Sequence, residues 1–296
     1  MWQRSKPYLL IAPATGAMLL LFVGGLWEGV LQSLGYRPLV GQSRLTLQFY
    51  ETLLSSADFW RSLGLTLRVS ILSTLAGGVL GLMISVCLVM LAGAGPFKHS
   101  RFWRHVFQLP LLIPHFVAAY LAVVMMIQTG WIPRLMFALG FLDQPADFPV
   151  LVQDRFGWGI VLTYAWKEAP FIAWMLYPVL YRTQEKWWEV ARVFGSGRWA
   201  YFREILLPLL LPAWMTASFI VFAFTFSAFE VPYLLGVTYP QMLPVWSFEM
   251  YTGGDLTKRP AALAVNVLLA GMAVFFGWLA HRTGRRFGLL EGGRWE

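Results

Sequence analysis

Apolar residues along the chain gather in six runs, at 8–31, 63–91, 106–129, 158–181, 205–235 and 261–280, and shorter stretches between them carry most of the charge. Each run can cross the hydrocarbon core as a helix, which takes about 20 residues at about 1.5 Å each. Helices are required there because lipid offers no partner for an open strand edge. The pattern predicts an all-α, polytopic membrane protein with six transmembrane helices, one domain over 1–296, and a polar cytoplasmic loop at 182–204. The first run is too long for the apolar part of a signal peptide. No small-residue cleavage pattern follows it before Gly35-Tyr36-Arg37-Pro38, so it reads as a retained span.

Composition agrees with this reading. The 296 residues are 58% hydrophobic, 17% aromatic and 13% charged, about half the charged fraction of a soluble domain. That balance excludes an ordinary cytoplasmic enzyme. A net charge of +8 would suggest nucleic acid in a soluble protein, but here the basic residues set topology. With the N-terminus inside, the cytoplasmic segments hold roughly twice as many Lys and Arg as the opposite side. Both termini are therefore predicted to be cytoplasmic, with lipid and not nucleic acid as the surrounding partner.

Several single residues refine the picture. Trp60, Trp131 and Trp158 on one side, and Trp103, Trp187 and Trp188 on the other, fall near span ends where amphipathic rings anchor. Gly77 and Gly81 would let a second helix approach span two closely. Pro110 and Pro114 open span three and Pro208 and Pro212 open span five, where a missing N–H costs little. Glu28 and Arg68 lie near span ends and read as snorkelling side chains. Cys87, the single cysteine, reads as a small core residue.

The most informative segment is 185–212. Trp188, Ala191 and Phe194 recur at helical spacing among charges, predicting a short amphipathic helix that Gly195 and Gly197 end; a second short helix then leads into span five. By physics alone this helix-turn-helix can simply lie on the membrane surface. Glu189, Ala191, Gly195, Ile205, Leu207 and Pro208, however, resemble the loop pattern of the permease subunits of binding-protein-dependent ABC importers: Glu-Ala-Ala, three residues, Gly, nine residues, Ile, any residue, Leu-Pro. The spacing fits without insertion, and Val190 departs from the usual alanine. The resemblance extends to six spans and cytoplasmic termini, and the segment through Asp255 and Arg259-Pro260 is loosely similar to the branch associated with polyamines, ferric iron and thiamine.

That resemblance implies the type I importer fold and a set of roles. The loop is the coupling helix that docks in a cleft of a separate ATPase subunit, with Glu189 pairing with a basic residue there and Gly195 permitting the turn between helices. Ile205, Leu207 and Pro208 orient the second arm where it enters the membrane. The implied partners are two ATPase subunits, a second permease subunit that is the same or a related chain, and an extracytoplasmic solute-binding protein. The setting is a prokaryotic inner membrane. No cofactor is expected on this chain itself; ATP with Mg belongs to the ATPase. Glycine and lysine positions agree, since Gly93-Ala-Gly-Pro-Phe-Lys98 has Phe97 where a phosphate-binding loop needs glycine before its lysine.

Catalytic and metal patterns are not recognisable. His99, His105, His115 and His281 are dispersed without metal-ligand spacing and read as interfacial. Lys167 and Glu168 fall about 15 Å into span four by helical rise, close to mid-membrane. Ionisable groups there mark either a translocation pathway or polar contacts between spans. Being adjacent, they point about 100° apart and are poorly placed to pair with each other. Pro170 just beyond them would loosen the helix and bare carbonyls to a cavity. Glu230, near the outer end of span five, reads either as a group at the external mouth or as an interfacial carboxylate reaching water. The rival reading is a secondary transporter driven by an ion gradient, with Lys167, Glu168 or Glu230 as its coupling group; it lacks the paired internal repeats of such folds.

Overall fold

The computed structural model describes residues 2–38, 41, 43–92 and 108–286. The helices in chain order are α1 (Trp2–Ser33), α2 (Gln48–Ser55), α3 (Ala57–Ala92), α4 (His115–Met126), α5 (Trp131–Ala138), α6 (Trp158–Val193), α7 (Arg198–Tyr201), α8 (Leu207–Ser227), α9 (Glu230–Leu235), α10 (Leu243–Thr252) and α11 (Arg259–Arg286). A π-turn, Phe202–Leu206, joins α7 to α8. No β-strand occurs among the described residues. Chain contacts define two compact units: Met1–Trp60 with Leu243–Gly271, and Arg61–Met242 with Met272–Glu296.

Five segments are long and apolar enough to cross a membrane: Leu10–Ser33, Ala57–Leu88, His115–Ala138, Arg198–Ser227 and Arg259–Gly284. The fourth predicted run lies on α6, a helix of 36 residues, in which Lys167, Glu168 and several Trp and Tyr side chains dilute the apolar character. Two predicted runs contain a helix break. Residues 108–112 are helical and the helix stops at Ile113, because the ring of Pro114 disfavours helical geometry in the residue before it; Pro114 itself is extended (φ −56°, ψ 145°). The helix of the third run is therefore broken just before His115. Within the fifth run α8 ends at Ser227, since Ala228 turns extended (ψ 141°), and α9 starts afresh at Glu230.

The predicted short helix after span four is also not separate. α6 continues through it to Val193 without a break, as its charged residues are all compatible with helix once it leaves the hydrocarbon. The π-turn just before α8 has a local cause. Pro208 offers no N–H and crowds the carbonyl four residues back, and a wider turn relieves both. Cys87 is exposed, not buried; a thiol on an outward face of α3 is apolar enough to meet lipid. Trp103, His99, His105 and the Gly93–Lys98 segment lie outside the described residues.

In the larger unit α3 packs on α6 through small residues. A Cβ on Gly81 would stand 2.7 Å from the Ala169 carbonyl oxygen and 2.7 Å from Ile172 Cβ; one on Gly77 would lie 3.8 Å from Ala165. The close approach forecast from these glycines is thus met by α6. On the other flank, Trp214 Nε1 of α8 donates to the Gly78 carbonyl at 2.9 Å. Two buried clusters continue this contact along α6, one around Val161 and Tyr164 with Leu65, Val69, Val231 and Leu235, the other around Ile172, Leu176 and Leu180 with Leu210 and Val221.

The start of α6 is tightly capped. The Asp154 carboxylate accepts from the backbone N–H groups of Phe156 at 2.9 Å, Gly157 at 2.8 Å and Trp158 at 2.5 Å, which satisfies donors that a helix start leaves orphaned. Arg68 does not snorkel to water. Its Nη2 donates to the Arg155 carbonyl at 3.1 Å and its guanidinium lies 4.4 Å from the Phe156 ring centroid, holding this same loop against α3.

In the smaller unit Ser33 and Tyr50 share a 2.6 Å hydrogen bond, Arg37 Nη1 donates to the Leu256 carbonyl at 2.7 Å, and Ser247 Oγ reaches the Ala262 carbonyl at 2.9 Å. None of the apolar window of α1 is buried within the chain. Such a helix is stable in hydrocarbon, where its backbone bonds are satisfied internally. Asp255 outside the spans accepts from Thr257 Oγ1 at 2.6 Å and Thr257 N at 3.0 Å, and these bonds hold its carboxyl below the usual range. What they contribute to stability is present at neutral pH and lost as pH falls through that lowered value.

Gly81→Val tests the α3–α6 contact. Overpacking against the Ala169 carbonyl should destabilise the protein by about 1–3 kcal/mol, while Gly64→Ala, with nothing within 4 Å of its Cβ, should be near neutral. Thermal unfolding of both variants in nanodiscs reads the difference; equal midpoints would remove the glycine argument.

Candidate functional site

Two places stand out, both in the larger unit. The first is an elbow between α6 and α8. α6 ends in a motif that satisfies its last carbonyls: Gly195 N donates to Arg192 O at 3.0 Å and Ser196 N to Ala191 O at 2.9 Å. Gly195 sits at φ +75°, left-handed geometry that favours glycine. The chain reverses there, and α7 starts at Arg198.

The inner side of the elbow is packed. Ala191 is 5% exposed and joins Tyr201, Leu206 and Leu210 in a buried cluster, and the Trp188 ring meets that of Tyr201 edge-on at 5.2 Å. A small residue is needed at 191 for this approach. Val190 is 50% exposed, so its extra bulk meets no helix and leaves the packing unaltered. On the outer side Glu189, Arg192, Arg198 and Arg203 are exposed, and Val193 and Phe194 at the tip are 84% and 85% exposed. Ile205 lies in the π-turn, half-buried against the inner cluster, and Leu207 and Pro208 open α8. The six loop residues singled out in the sequence thus share one structural feature.

The second place is a polar cluster inside the apolar stretch of α6. Lys167 is 3% exposed and Glu168 8%. They do not pair with each other as an ion pair. Glu168 Oε1 instead meets His115 Nε2 at 2.9 Å, across from the first turn of α4. α4 starts at His115, just after Pro114, and the imidazole also lies 4.5 Å from the Phe224 ring of α8, the two planes tilted by 43°. Tyr164 belongs to the same face, three and four residues before Lys167 and Glu168, the spacing at which helical side chains adjoin. It is fully buried, and its hydroxyl has no partner among the described residues.

Glu230 is not on span five but is the first residue of α9, half-buried. Both Glu230 and Glu168 act electrostatically on Tyr164, whereas Glu168 is the carboxylate that acts on Lys167. Pro170 does not interrupt α6; it is buried beside a small recess lined by Ile84, Leu88, Gln108, Ala173, Trp174 and Tyr177. Among the described residues no group of three or more His, Cys, Asp or Glu could hold a metal ion.

His115 and Tyr164 were missed from the sequence. A signal for each exists in retrospect: a carboxylate in hydrocarbon needs a donor, His115 is a titratable group in the adjoining apolar run, and Tyr164 stands one turn from the charged pair.

Among the described residues the architecture is helical, with several membrane-length helices and a packed elbow between α6 and α8. Residues 85–288 match the family model for the binding-protein-dependent transport system inner membrane component, and the chain belongs to that family. It is 32% identical over 231 residues to the inner membrane ABC transporter permease protein YnjC of Escherichia coli (strain K12), a match that spans 74% of this chain and 42% of that protein. It is 26% identical over 292 residues to the diacetylchitobiose uptake system permease protein DasB of Streptomyces coelicolor, spanning 91% of this chain and 85% of that one. A chain in the crystal structure of a bacterial ABC transporter involved in import of the acidic polysaccharide alginate superposes with a TM-score of 0.79 at 21% identity, covering 96% of this chain and 97% of that chain. The fold is that of type I importer permeases, and the protein is a multi-pass permease of the inner membrane and not itself an enzyme. These relatives lend no support to a carrier driven by an ion gradient.

The His115–Glu168 contact is open to a double-mutant cycle. His115→Leu alone strands Glu168 in an apolar setting and should destabilise more than the double variant His115→Leu/Glu168→Leu, with a coupling of about 1–3 kcal/mol. Unfolding midpoints in one lipid composition check it; additive single effects would show that the pair carries no energy.

Proposed function

We propose that the chain is one half of the transmembrane part of an ABC importer, forming the translocation pathway for a solute by alternating access. The half is a single membrane domain over 1–296 with six spans, α6 being the fourth, and both termini cytoplasmic. A second permease subunit, identical or related, completes the pathway. Two ATPase subunits below carry ATP with Mg, and a solute-binding protein delivers the solute outside. Diacetylchitobiose uptake by one relative supports a hydrophilic cargo.

The elbow carries this reading. Glu189, Ala191, Gly195, Ile205, Leu207 and Pro208 form the coupling element, and the exposed Val193–Phe194 tip flanked by Glu189 and Arg192 is the surface it offers to the ATPase. An apolar tip inside a charged rim has the anatomy of a docking site. The packed inner side supports a lever that moves as a body, since a loose loop would absorb the displacement. ATP drives the cycle only by binding the closed ATPase arrangement more tightly than the open one, because equal affinity shifts nothing. Lys167, Glu168 and Glu230 are the pathway residues in this scheme, ionisable groups that an apolar span does not carry for packing alone.

The test is affinity purification of the tagged chain in mild detergent with an assay of ATP hydrolysis and solute uptake. The wild type should bring down an ATPase subunit. Glu189→Arg should lose it and lose uptake by tenfold or more, with unchanged amounts of the chain in the membrane. Normal uptake by this variant would refute the lever.

A further inference from the structure

The bond between His115 and Glu168 stands at a mechanical joint. Glu168 belongs to α6, which runs unbroken to the elbow. His115 is the first residue of α4, directly after the extended Pro114, so a backbone break separates α4 from the helical residues 108–112. The two helical pieces can turn against each other there without loss of helix hydrogen bonds. Among the described residues no other hydrogen bond links α4 to α6. The rest of that contact is apolar, with Ala119 and Met126 of α4 in one buried cluster with Val161 and Tyr164 of α6. Apolar contact is non-directional, so a small shift of α4 along α6 costs it little, whereas a 2.9 Å bond is made at one register only. The imidazole is 30% exposed and the carboxylate 11%, which puts the bond at the margin of the packing. A carboxylate released there loses its donor but keeps a counter-charge, because Glu168 already acts electrostatically on Lys167, its neighbour on the same helix. Glu168 thus has one partner on α4 and one on its own helix, as an element with two discrete arrangements requires.

We propose that the His115–Glu168 bond is a latch between α4 and the body formed by α6 and α8, closed in the present conformation and opened when that body moves in the transport cycle. The latch rests on the alternating-access reading given above and adds to it the residue pair that holds one of the two states. His115 is a positioning residue, since it acts through the carboxylate it holds. Closed, the bond fixes α4 at one register against α6. Open, it frees α4 to shift by on the order of 1–2 Å, the scale of helix displacement in switching proteins, while Lys167 offsets the charge of the carboxylate. Because the bond exists in one state only, its strength sets the ratio of the two, and removing it moves that ratio toward the open state.

The experiment uses the full chain with whatever co-purifies, in nanodiscs, carrying Cys87→Ser and spin labels at Tyr120→Cys on α4 and Leu162→Cys on α6, two exposed positions. Pulsed electron spin resonance reads the distance between the labels without nucleotide and after trapping with ATP, Mg and vanadate. With His115 in place, one distance should dominate without nucleotide and trapping should shift the population to a second. His115→Leu should populate the second distance without nucleotide, changing the ratio of the two by about fivefold or more. His115→Gln, which keeps a donor for Glu168, should bring the ratio back to within about twofold of its starting value, a rescue that a merely structural role of the imidazole would not give. The trapping measurement needs no change at 115 and decides the matter by itself if His115→Leu does not accumulate. A distance between α4 and α6 that stays the same on trapping while the sample hydrolyses ATP, or equal ratios in His115→Leu and His115→Gln, overturns the latch and leaves the importer reading standing. If no ATPase comes down with the chain, the importer reading fails, and a nucleotide-free ratio shifted in His115→Leu and restored in His115→Gln still upholds the latch.

Discussion

A helix can carry charge through hydrocarbon only if other helices cover it, and in this protein the cover depends on how closely α3 approaches α6. The approach is set by absent side chains: at Gly81 a Cβ would already lie 2.7 Å from the Ala169 carbonyl oxygen. With α3 this near, the Tyr164 and Lys167–Glu168 face is left to α4 and α9, which supply His115 and the apolar wall around Val231. Dispersion between closely packed small-residue faces is what holds membrane helices together where no hydrophobic force acts. The polar cluster can exist because that packing excludes lipid from it.

How much of this the sequence carries differs from element to element. The six apolar runs announce helices because backbone groups in lipid have no other solution, and the all-α class follows from them. Their ends are a different matter. The helix of the third run breaks before His115 because Pro114 acts on the residue before it, and that of the fifth breaks after Ser227 because the chain turns extended at Ala228, although both flanks of each break are apolar. A hydropathy pattern has no term for a backbone break inside an apolar run. The continuity of α6 through 181–187 is invisible for the opposite reason, since the run changes from apolar to charged while the backbone does not change at all.

The elbow is legible because its logic is local: one left-handed glycine, a small residue packed inside, and fixed distances along the chain between them. The polar cluster on α6 is not. Lys167 and Glu168 are conspicuous as charges in an apolar span, but what Glu168 touches depends on where α4 begins, 53 residues earlier. The same dispersion in sequence that makes His115 look unremarkable is what tertiary packing removes. Cys87 shows the converse limit, for an apolar neighbourhood in sequence says nothing about whether a membrane helix turns that side inward or toward lipid.

The cluster and the elbow belong to one uninterrupted helix, and this matters to the proposed mechanism. From Lys167 to Glu189 is about 33 Å along the α6 axis at about 1.5 Å per residue, a distance over which a covalent helix transmits displacement far better than packed loops do. Pro170 and Pro178 lie between the two places. Each removes one backbone hydrogen bond and weakens the rod locally, but Pro170 is buried and Leu176 and Leu180 are fixed in the inner cluster with Leu210 of α8. The rod is thus splinted at its weak points by the helix that leaves the elbow. In the proposed cycle, a push at Val193–Phe194 therefore moves α6 and α8 together, and the groups it displaces inside the membrane are Glu168 against His115 on α4. The contact most exposed to such a shear is that between Glu168 and His115, which ties the polar cluster on α6 to the position of the elbow without any further moving part.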